Sequence, residues 1–399
     1  MLPTIEEQSA PRLTGALTGI LAVACGLAVA NLYYAQPLIS VIAVAIGLQP
    51  RLAGLVMTLT QLGYGVGLLL IVPLADLIEN RRLICGALCA AALGLFGITS
   101  ATNPSQFLSA SFVVGVCAVA AQVLVPFASH LTPAASRGRI TGRIMGGLLT
   151  GIMLARPISS FIAGRCGWRA VFAVSGVLLL VLVGILWQQL PERRPTPVAG
   201  YRAVLASMWQ LVLHTPLLRR RALYQGIMFA AFNVFWTGSP LLLMRHYGMT
   251  FDGIALFSLV GAGGALAAPL AGHLADLELT KLATRLSMLA ALSALIVAAW
   301  ADHIKSVAIL AVAGLSLDAA VQMCLVLSLR GIYMLESAKR SRLNGLFMAW
   351  VFGCGAAASA AAATIYEFEG WLALMTCGVI LVTIGFALNL VENSSVITG

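Results

Sequence analysis

Twelve long apolar runs constrain this chain more than any other feature of its sequence. Each is close to 20 residues or longer, which is the length a helix needs to cross a bilayer. Because no water satisfies the backbone inside lipid, such runs are predicted to be helices. Hydrophobic residues make up 60% of the chain and charged residues 10%, against about 45–50% and about 25% in soluble domains. The predicted transmembrane helices of this all-α integral membrane protein cover residues 13–38, 52–77, 83–102, 105–131, 138–164, 168–190, 221–244, 252–275, 281–301, 304–329, 341–366 and 370–391.

Basic residues are concentrated in the short loops on one side of these helices. The net charge of +10 would suggest nucleic acid in a soluble chain, but no basic patch with interleaved aromatic residues occurs. We therefore expect no nucleic-acid partner. Eighteen lysines and arginines fall on one face and five on the other. Because positively charged loops remain in the cytoplasm, both termini are expected to be cytoplasmic.

The two halves of the chain repeat each other at an offset of about 200 residues. Asn31 precedes two adjacent aromatic residues and a proline, and Asn233 does so again in the second half. The string Leu-Ala-Asp ends at Asp76 and returns at Asp276. Such pairs in the same order indicate a duplication, and hence two pseudo-symmetric six-helix bundles. The predicted division is 1–190 for the N-terminal bundle, 191–220 for a cytoplasmic linker and 221–399 for the C-terminal bundle.

The linker is the least apolar part of the chain. It is rich in proline and arginine, which disfavour a continuous membrane helix. One stretch within it, residues 201–214, has the pattern of a helix that lies at the membrane interface.

The loop between the second and third helices carries a recognisable motif in both halves. In the first half Leu-Ala-Asp ends at Asp76 and is followed by Arg81; in the second it ends at Asp276, between Gly272 and Lys281. With twelve helices in two halves and a basic central loop, this pattern resembles the major facilitator superfamily, whose signature there is G-x-L-A-D-x-x-G-R-[KR]. The resemblance implies that these aspartates and basic residues form a conformational latch. A capped turn without a switching role is the alternative.

The string ANLYYAQPL, from Ala30 to Leu38, resembles a bacterial branch of this superfamily related to drug and metabolite exporters. The resemblance implies a multi-pass protein of the bacterial cytoplasmic (inner) membrane. We expect a monomer embedded in the lipid bilayer, with a small-molecule substrate and protons as its other partners.

The fifth helix carries a small residue at every fourth position, at Gly147, Gly151 and Ala155. This spacing gives a flat helix face suited to close packing. The stretch resembles the antiporter signature G-x3-G-P of the superfamily, but Ala155 replaces the last glycine and Arg156 stands before Pro157. A packing surface next to a proline kink is the alternative interpretation.

Two charged residues are predicted at membrane depth, Arg156 on the fifth helix and Asp318 on the tenth. Each costs at least about 2.5–3.5 kcal/mol at mid-bilayer, so neither is expected to face lipid. A carboxyl group in a low dielectric favours its protonated form, whereas a nearby arginine favours the ionised form. The two are therefore predicted to couple transport to protons, with a purely structural polar contact as the alternative.

Polar and aromatic side chains at matching depths predict a central cavity for a substrate. Aromatic rings with a few amides suit a small amphiphilic molecule, and the lack of clustered basic residues argues against phosphate esters. Aromatic residues at the membrane interfaces are the alternative interpretation. The predicted substrate-binding residues are Asn31, Tyr34, Gln36, Gln61, Tyr64, Gln122, Asn233, Trp236 and Gln322.

Other classes of function find little support in the sequence. The eight cysteines are scattered through apolar runs without a CxxC pair, so no metal site is predicted. HExxH and GxSxG motifs and a pair of buried carboxylates are absent from the sequence. We therefore predict a protein that is not an enzyme and needs no cofactor.

The sequence thus predicts a secondary active transporter that works by alternating access, in the form of a proton-coupled exporter of small amphiphilic drugs or metabolites. A metabolite facilitator or proton symporter is the alternative, and a membrane receptor or scaffold is a more remote one.

Overall fold

The computed structural model describes residues 15–195, 200–277, 279–335 and 340–395. Within these ranges every regular element is a helix. The α-helices are α1 (Gly15–Ala30), α2 (Ile39–Ala45), α3 (Leu55–Leu70), α4 (Asn80–Ser100), α5 (Pro104–Cys117), α6 (Ala120–His130), α7 (Ala134–Cys166), α8 (Trp168–Gln189), α9 (Tyr201–His214), α10 (Pro216–Arg245), α11 (Phe251–Ala262), α12 (Ala267–Asp276), α13 (Thr280–His303), α14 (Val307–Tyr333) and α15 (Arg340–Ser395).

These helices form the twelve predicted membrane segments, although three segments are interrupted. In the described part of the chain, nine helices are long and apolar enough to cross a membrane, and α15 is two of the predicted segments joined at Gly370. Gly370 has φ of 78°, a left-handed conformation that suits glycine, so the chain turns there. The first, fourth and eighth segments are each divided, into α1 with α2, α5 with α6, and α11 with α12. The prediction of an all-α, twelve-helix membrane fold is confirmed.

Between residues 191 and 215 the described chain forms a single helix, α9, with the predicted bounds. The next helix, α10, begins at Pro216, so it includes the last five residues of the predicted linker. Trp209 is 65% exposed on α9, as expected for a helix at the membrane interface. The hydroxyl of Tyr201 donates to the backbone oxygen of Leu70 at 2.9 Å, and Arg342 donates to Ser207 at 3.0 Å. The helix α9 therefore contacts both halves on the face that carries most of the basic loops. The exact limits of the two bundles stay a prediction.

Glycine allows α1 and α7 to pack with their backbones almost in contact. A Cβ atom at Gly151 would lie 2.3 Å from the backbone oxygen of Gly26, and one at Gly147 would lie 2.5 Å from that of Ala22. The space between the two backbones therefore has no room for a side chain at Gly147 or Gly151. The small residues on the fifth membrane segment thus serve close helix packing inside the N-terminal half.

The two halves meet closely on the face opposite α9. A Cβ atom at Gly54 would lie 1.9 Å from the backbone oxygen of Ser359, so α15 packs directly on the start of the second segment. The hydroxyl of Thr364 donates to the backbone oxygen of Arg51 at 2.7 Å. Arg165 and Asp252 form an exposed ion pair between α7 and α11 at 3.0 Å. This face is closed, and the space between the halves opens toward α9.

We expect Gly151→Ala to destabilise the fold by about 1–3 kcal/mol, because the added methyl group must push two backbones apart. Unfolding of purified protein in detergent, followed by tryptophan fluorescence, measures the change. Gly146→Ala is the matched control on the same helix, since nothing lies within 4 Å of a Cβ atom there. It should leave stability unchanged or raise it by up to about 1 kcal/mol. Equal effects of the two substitutions would contradict the packing role.

Candidate functional site

A cavity of about 900 Å³ lies between the two halves. Its inner end lies near the middle of α14 and is lined by Arg156 and Asp318. The cavity ends near the linker, where Arg193, Arg340 and Arg342 line its mouth. The cavity is therefore closed toward the face where the halves touch and accessible from the basic face.

The inner end of the cavity is formed by an ion pair that joins the halves. The Nη2 atom of Arg156 on α7 lies 3.3 Å from Oδ2 of Asp318 on α14. The indole nitrogen of Trp236 on α10 donates to the other carboxylate oxygen at 2.6 Å. The guanidinium carbon of Arg156 lies 3.9 Å from the centroid of the Trp236 ring, a cation–π geometry. The backbone at Gly264 packs on Asp318 so closely that a Cβ atom there would lie 2.4 Å from Cβ of Asp318.

A continuous series of aromatic rings extends from this pair along the cavity. The ring of Phe232 stacks on Phe229 with centroids 5.4 Å apart, and Phe229 lies 5.0 Å from Phe352. Phe352 in turn lies 4.6 Å from Tyr64, which belongs to the other half. All four line the cavity. The wall therefore offers an extended apolar surface made by both halves.

Polar side chains form a second series of contacts further toward the mouth. The amide nitrogen of Gln122 donates to the Tyr64 hydroxyl at 3.0 Å. Asn344 donates to the amide oxygen of Gln122 at 3.2 Å and accepts a hydrogen bond from Tyr333 at 3.1 Å. Gln322 also lines the cavity. Three of the nine predicted substrate-binding residues, Tyr64, Gln122 and Gln322, thus lie in its wall.

The other six predicted residues are buried behind the cavity wall. The side chain of Asn31 donates to the backbone oxygen of Leu27 at 2.7 Å and accepts from Ser175 at 2.8 Å, so its hydrogen bonds are made inside the N-terminal half. The neighbouring residues of the same motif, Tyr34 and Gln36, are also buried. They do not line the cavity in this conformation.

The remaining buried residues lie where the halves meet. Gln61 donates to the Asn233 oxygen at 2.6 Å, across the two halves, and Ser359 donates to the same oxygen at 3.1 Å. Trp236 lies behind three residues of the cavity wall: it contacts Arg156 and Asp318, and its ring centroid lies 6.3 Å from that of Phe232. These residues hold the closed side of the interface together.

The first predicted latch contains contacts that its motif does not specify. Arg81 pairs with Glu192 at 2.7 Å, and its guanidinium carbon lies 4.7 Å from the Trp187 ring centroid. Glu79 stands where the family signature has a glycine; its carboxylate caps α4 by accepting from the backbone N–H of Arg81 at 3.1 Å. Asp76 is exposed at the cavity mouth.

The second predicted latch connects two helices of the C-terminal half. Asp276 at the end of α12 pairs with Arg330 near the end of α14, 2.5 Å apart. Lys281 is exposed at the start of α13. The latch role of these residues stays a prediction.

The sequence analysis did not select several residues that line the cavity. They are Tyr33, Gln225, Phe229, Phe232, Asn344 and Phe352. One signal was present: Phe229, Phe232 and Trp236 recur at intervals of three and four residues, which places them on one face of α10. The choice between Tyr33 and Tyr34 had no such signal, because the chain forms turns at both positions.

Comparison with known proteins agrees with this architecture. The family model of the Major Facilitator Superfamily matches residues 21–363. The chain belongs to this superfamily. Its members are transporters rather than enzymes, and the predictions of a transporter and of a non-enzyme are thereby confirmed.

Similar proteins include two transporters and a solved structure. "Uncharacterized transporter YgaY" of Escherichia coli O157:H7 is 36% identical over 92% of this chain and 93% of its own length. "Probable transporter SCO4007" of Streptomyces coelicolor is 32% identical over 64% of this chain and 60% of its own length. A bacterial homologue of the human lysosomal transporter Spinster superposes with a TM-score of 0.71 at 14% identity, over 93% of this chain and 95% of that one. The last comparison shows the fold alone.

We expect Asp276→Asn to impair transport while leaving thermal stability near that of the unchanged protein. The reason is that an exposed ion pair such as Asp276–Arg330 contributes only about 0–1 kcal/mol to stability, whereas a latch acts on the balance between conformations. Transport into vesicles and a thermal melt measure the two effects. Glu367→Gln is the matched control, because it removes an exposed pair with Arg245 on the opposite face. If Asp276→Asn transports at the same rate as Glu367→Gln, the latch role is contradicted and the motif is only a capped turn.

Proposed function

We propose that the chain is a proton-coupled secondary transporter of small amphiphilic molecules that works by alternating access. The observation that carries this proposal is the cavity between the halves, whose walls are aromatic and whose inner end is the Arg156–Asp318 pair. The aromatic wall suits an apolar body, and the amides further out suit a few polar groups. Residues 1–190 and 221–399 are proposed as the two moving units.

Alternating access requires the closed face to open and the cavity mouth to close. With both termini in the cytoplasm of a bacterial inner membrane, as we propose, the observed opening faces the cytoplasm. The contacts on the closed face include short polar bonds between the halves, such as Thr364 to Arg51 and Arg165 to Asp252. They can be exchanged for water when the halves rotate. The Asp76 and Asp276 regions lie on the opposite face and are proposed to form contacts when it closes.

The Arg156–Asp318 pair supports coupling to protons because its partners belong to different halves. Rotation of one half separates the guanidinium from the carboxylate. An isolated buried carboxylate is costly and favours the protonated form, whereas the paired one favours the ionised form. The same side chain can then take a proton in one state and release it in the other. We propose a monomer as the working unit, since both sides of the cavity come from one chain.

Two directions of transport are consistent with this mechanism. In the exporter predicted from the sequence, the substrate and the proton bind in turn, and proton entry drives the substrate out. In the symporter alternative, they bind together and move in the same direction. A facilitator would need no proton, and a receptor or scaffold would move no solute. Flux in vesicles with an imposed pH gradient distinguishes all four.

The decisive variant is Asp318→Asn, which preserves shape and removes titration. We expect it to abolish accumulation driven by a pH gradient while ligand binding and exchange at equal concentrations persist. Candidate ligands come first from a thermal-shift screen of purified protein, in which a ligand at 100 times its dissociation constant stabilises by about 2.7 kcal/mol. The variant and the unchanged protein are then compared in reconstituted vesicles.

Gln322→Asn is the matched control, because it shortens a polar cavity side chain on the same helix without changing charge. It should alter affinity but keep accumulation dependent on the pH gradient. Full accumulation driven by a pH gradient in Asp318→Asn would contradict coupling through this residue. If Arg156→Ala does not fold and the added substitution Asp318→Asn restores folding, the pair has a structural role instead.

A further inference from the structure

Arg156 has unused hydrogen-bonding capacity at the inner end of the cavity. It is 3% exposed, and of its three guanidinium nitrogens only Nη2 has a hydrogen-bond partner among the described residues. That partner, Asp318, is 3.3 Å away, long for a charge-assisted bond, which is commonly about 2.7–2.9 Å. Buried polar groups are nearly always paired. The unpaired Nε and Nη1 atoms therefore mark a place where another acceptor belongs.

The position of the guanidinium is fixed by rings rather than by acceptors. Its central carbon lies 3.9 Å from the Trp236 centroid and 5.4 Å from that of Phe232. Asp318 is held separately, since its Oδ1 accepts from the Trp236 indole at 2.6 Å. The cation is thus preorganised in the cavity wall, and an entering ligand need not order it. Next to it begins the aromatic series of Phe232, Phe229 and Phe352, which leads toward the mouth.

We propose that the substrate is an amphipathic organic monoanion whose carboxylate binds Arg156 and whose apolar body lies along Phe232, Phe229 and Phe352. This inference rests on the transport function proposed above and names the substrate class of that cavity. A guanidinium with unpaired donors is suited to a planar carboxylate. A single negative charge suits the site because Arg156 is its one cation at this depth among the described residues; the other arginines of the wall lie at the mouth.

Binding of such an anion is linked to the proton on Asp318. The charged and titratable groups that face Asp318 are Arg156 from α7 and Tyr33 from the turn between α1 and α2, while α10 contributes the Trp236 donor. A carboxylate bound at Nε and Nη1 shares the guanidinium with Asp318 and places a second negative charge beside it. The buried acid then favours its protonated form. One anion and one proton therefore bind together, which favours the symporter alternative over proton exchange.

Isothermal titration calorimetry of the full chain in detergent tests the substrate class. The probes are 4-phenylbutyrate, its amide and 4-phenylbutylamine, with 2-naphthylacetate and its amide and amine as a second set. We expect each carboxylate to bind at least about tenfold more tightly than its amide, because the amide lacks the negative charge that pairs with the buried Arg156. In Arg156→Gln/Asp318→Asn, which removes both charges and leaves neither unpaired, that preference should disappear.

Arg165→Gln is the matched control for the charge itself. It lies on the same helix and also pairs with an aspartate of the other half, Asp252, but at the exposed face. The carboxylate preference should be unchanged in this variant. Arg156→Lys, which keeps the charge, should restore part of the preference. Loss of the carboxylate preference in Arg165→Gln as well as in Arg156→Gln/Asp318→Asn would indicate a general electrostatic effect and overturn the proposal.

The pH dependence of binding gives a second, independent measurement. Because binding takes up a proton, carboxylate affinity should fall as pH rises, by up to about tenfold per pH unit. Asp318→Asn should bind the carboxylates more tightly than the unchanged protein at high pH and without this slope. A residue with only a structural role would not produce tighter binding on removal of its charge.

The outcomes separate this inference from the transporter proposal. Tighter binding of the amines than of the carboxylates, or no carboxylate binding in either set, overturns the substrate class. Amine flux driven by a pH gradient would then still support a proton-coupled transporter. Carboxylate binding with the expected pH slope, but with no carboxylate flux in vesicles, would support the binding site and contradict transport.

Discussion

A charged pair in a low dielectric cannot separate without compensation, and this constraint acts at the centre of the molecule. Arg156 and Asp318 come from different halves and meet at the inner end of the cavity. Removing one partner of a buried pair commonly costs about 3–5 kcal/mol, because the other charge is left unsatisfied. The halves can therefore part at this depth only when a proton or a ligand replaces the lost partner. The position of the pair makes the conformational change depend on what occupies the cavity.

The rest of the packing divides into contacts that persist and contacts that can be exchanged. Within the N-terminal half, Gly26, Gly147 and Gly151 bring two backbones into direct contact, with no side chain between them that could change its conformation. Between the halves, the closed face has one close backbone approach, of Gly54 to Ser359, and otherwise hydrogen bonds such as Gln61 to Asn233. Hydrogen bonds contribute a net of about 0.5–1.5 kcal/mol each and can be replaced by water. Such an arrangement favours rotation of rigid halves over bending of single helices.

The sequence predicts most of the fold because lipid leaves few alternatives for an apolar run of about 20 residues. The linker helix α9 and the burial of Arg156 and Asp318 inside the protein also followed from it. The rotation of each helix about its own axis could not be predicted from the sequence. Nearly every face of these helices is apolar, so polarity does not distinguish the side that faces the cavity from the side that faces lipid. Asn31 shows the consequence: its amide suggested a cavity residue, but it bonds to Leu27 and Ser175 within its own half.

The closed face contributes less to the choice of conformation than the centre does. The Thr58 hydroxyl lies 3.1 Å from the backbone oxygen of Ala356 in the other half and 3.0 Å from that of Gly54 in its own. When the halves part, this hydroxyl keeps an acceptor and loses little. Arg156 has no comparable second acceptor among the described residues, so its separation from Asp318 is the costly step. A ligand that satisfies the guanidinium lowers that cost directly, which makes the occupant of the cavity, rather than the outer contacts, the main control of opening.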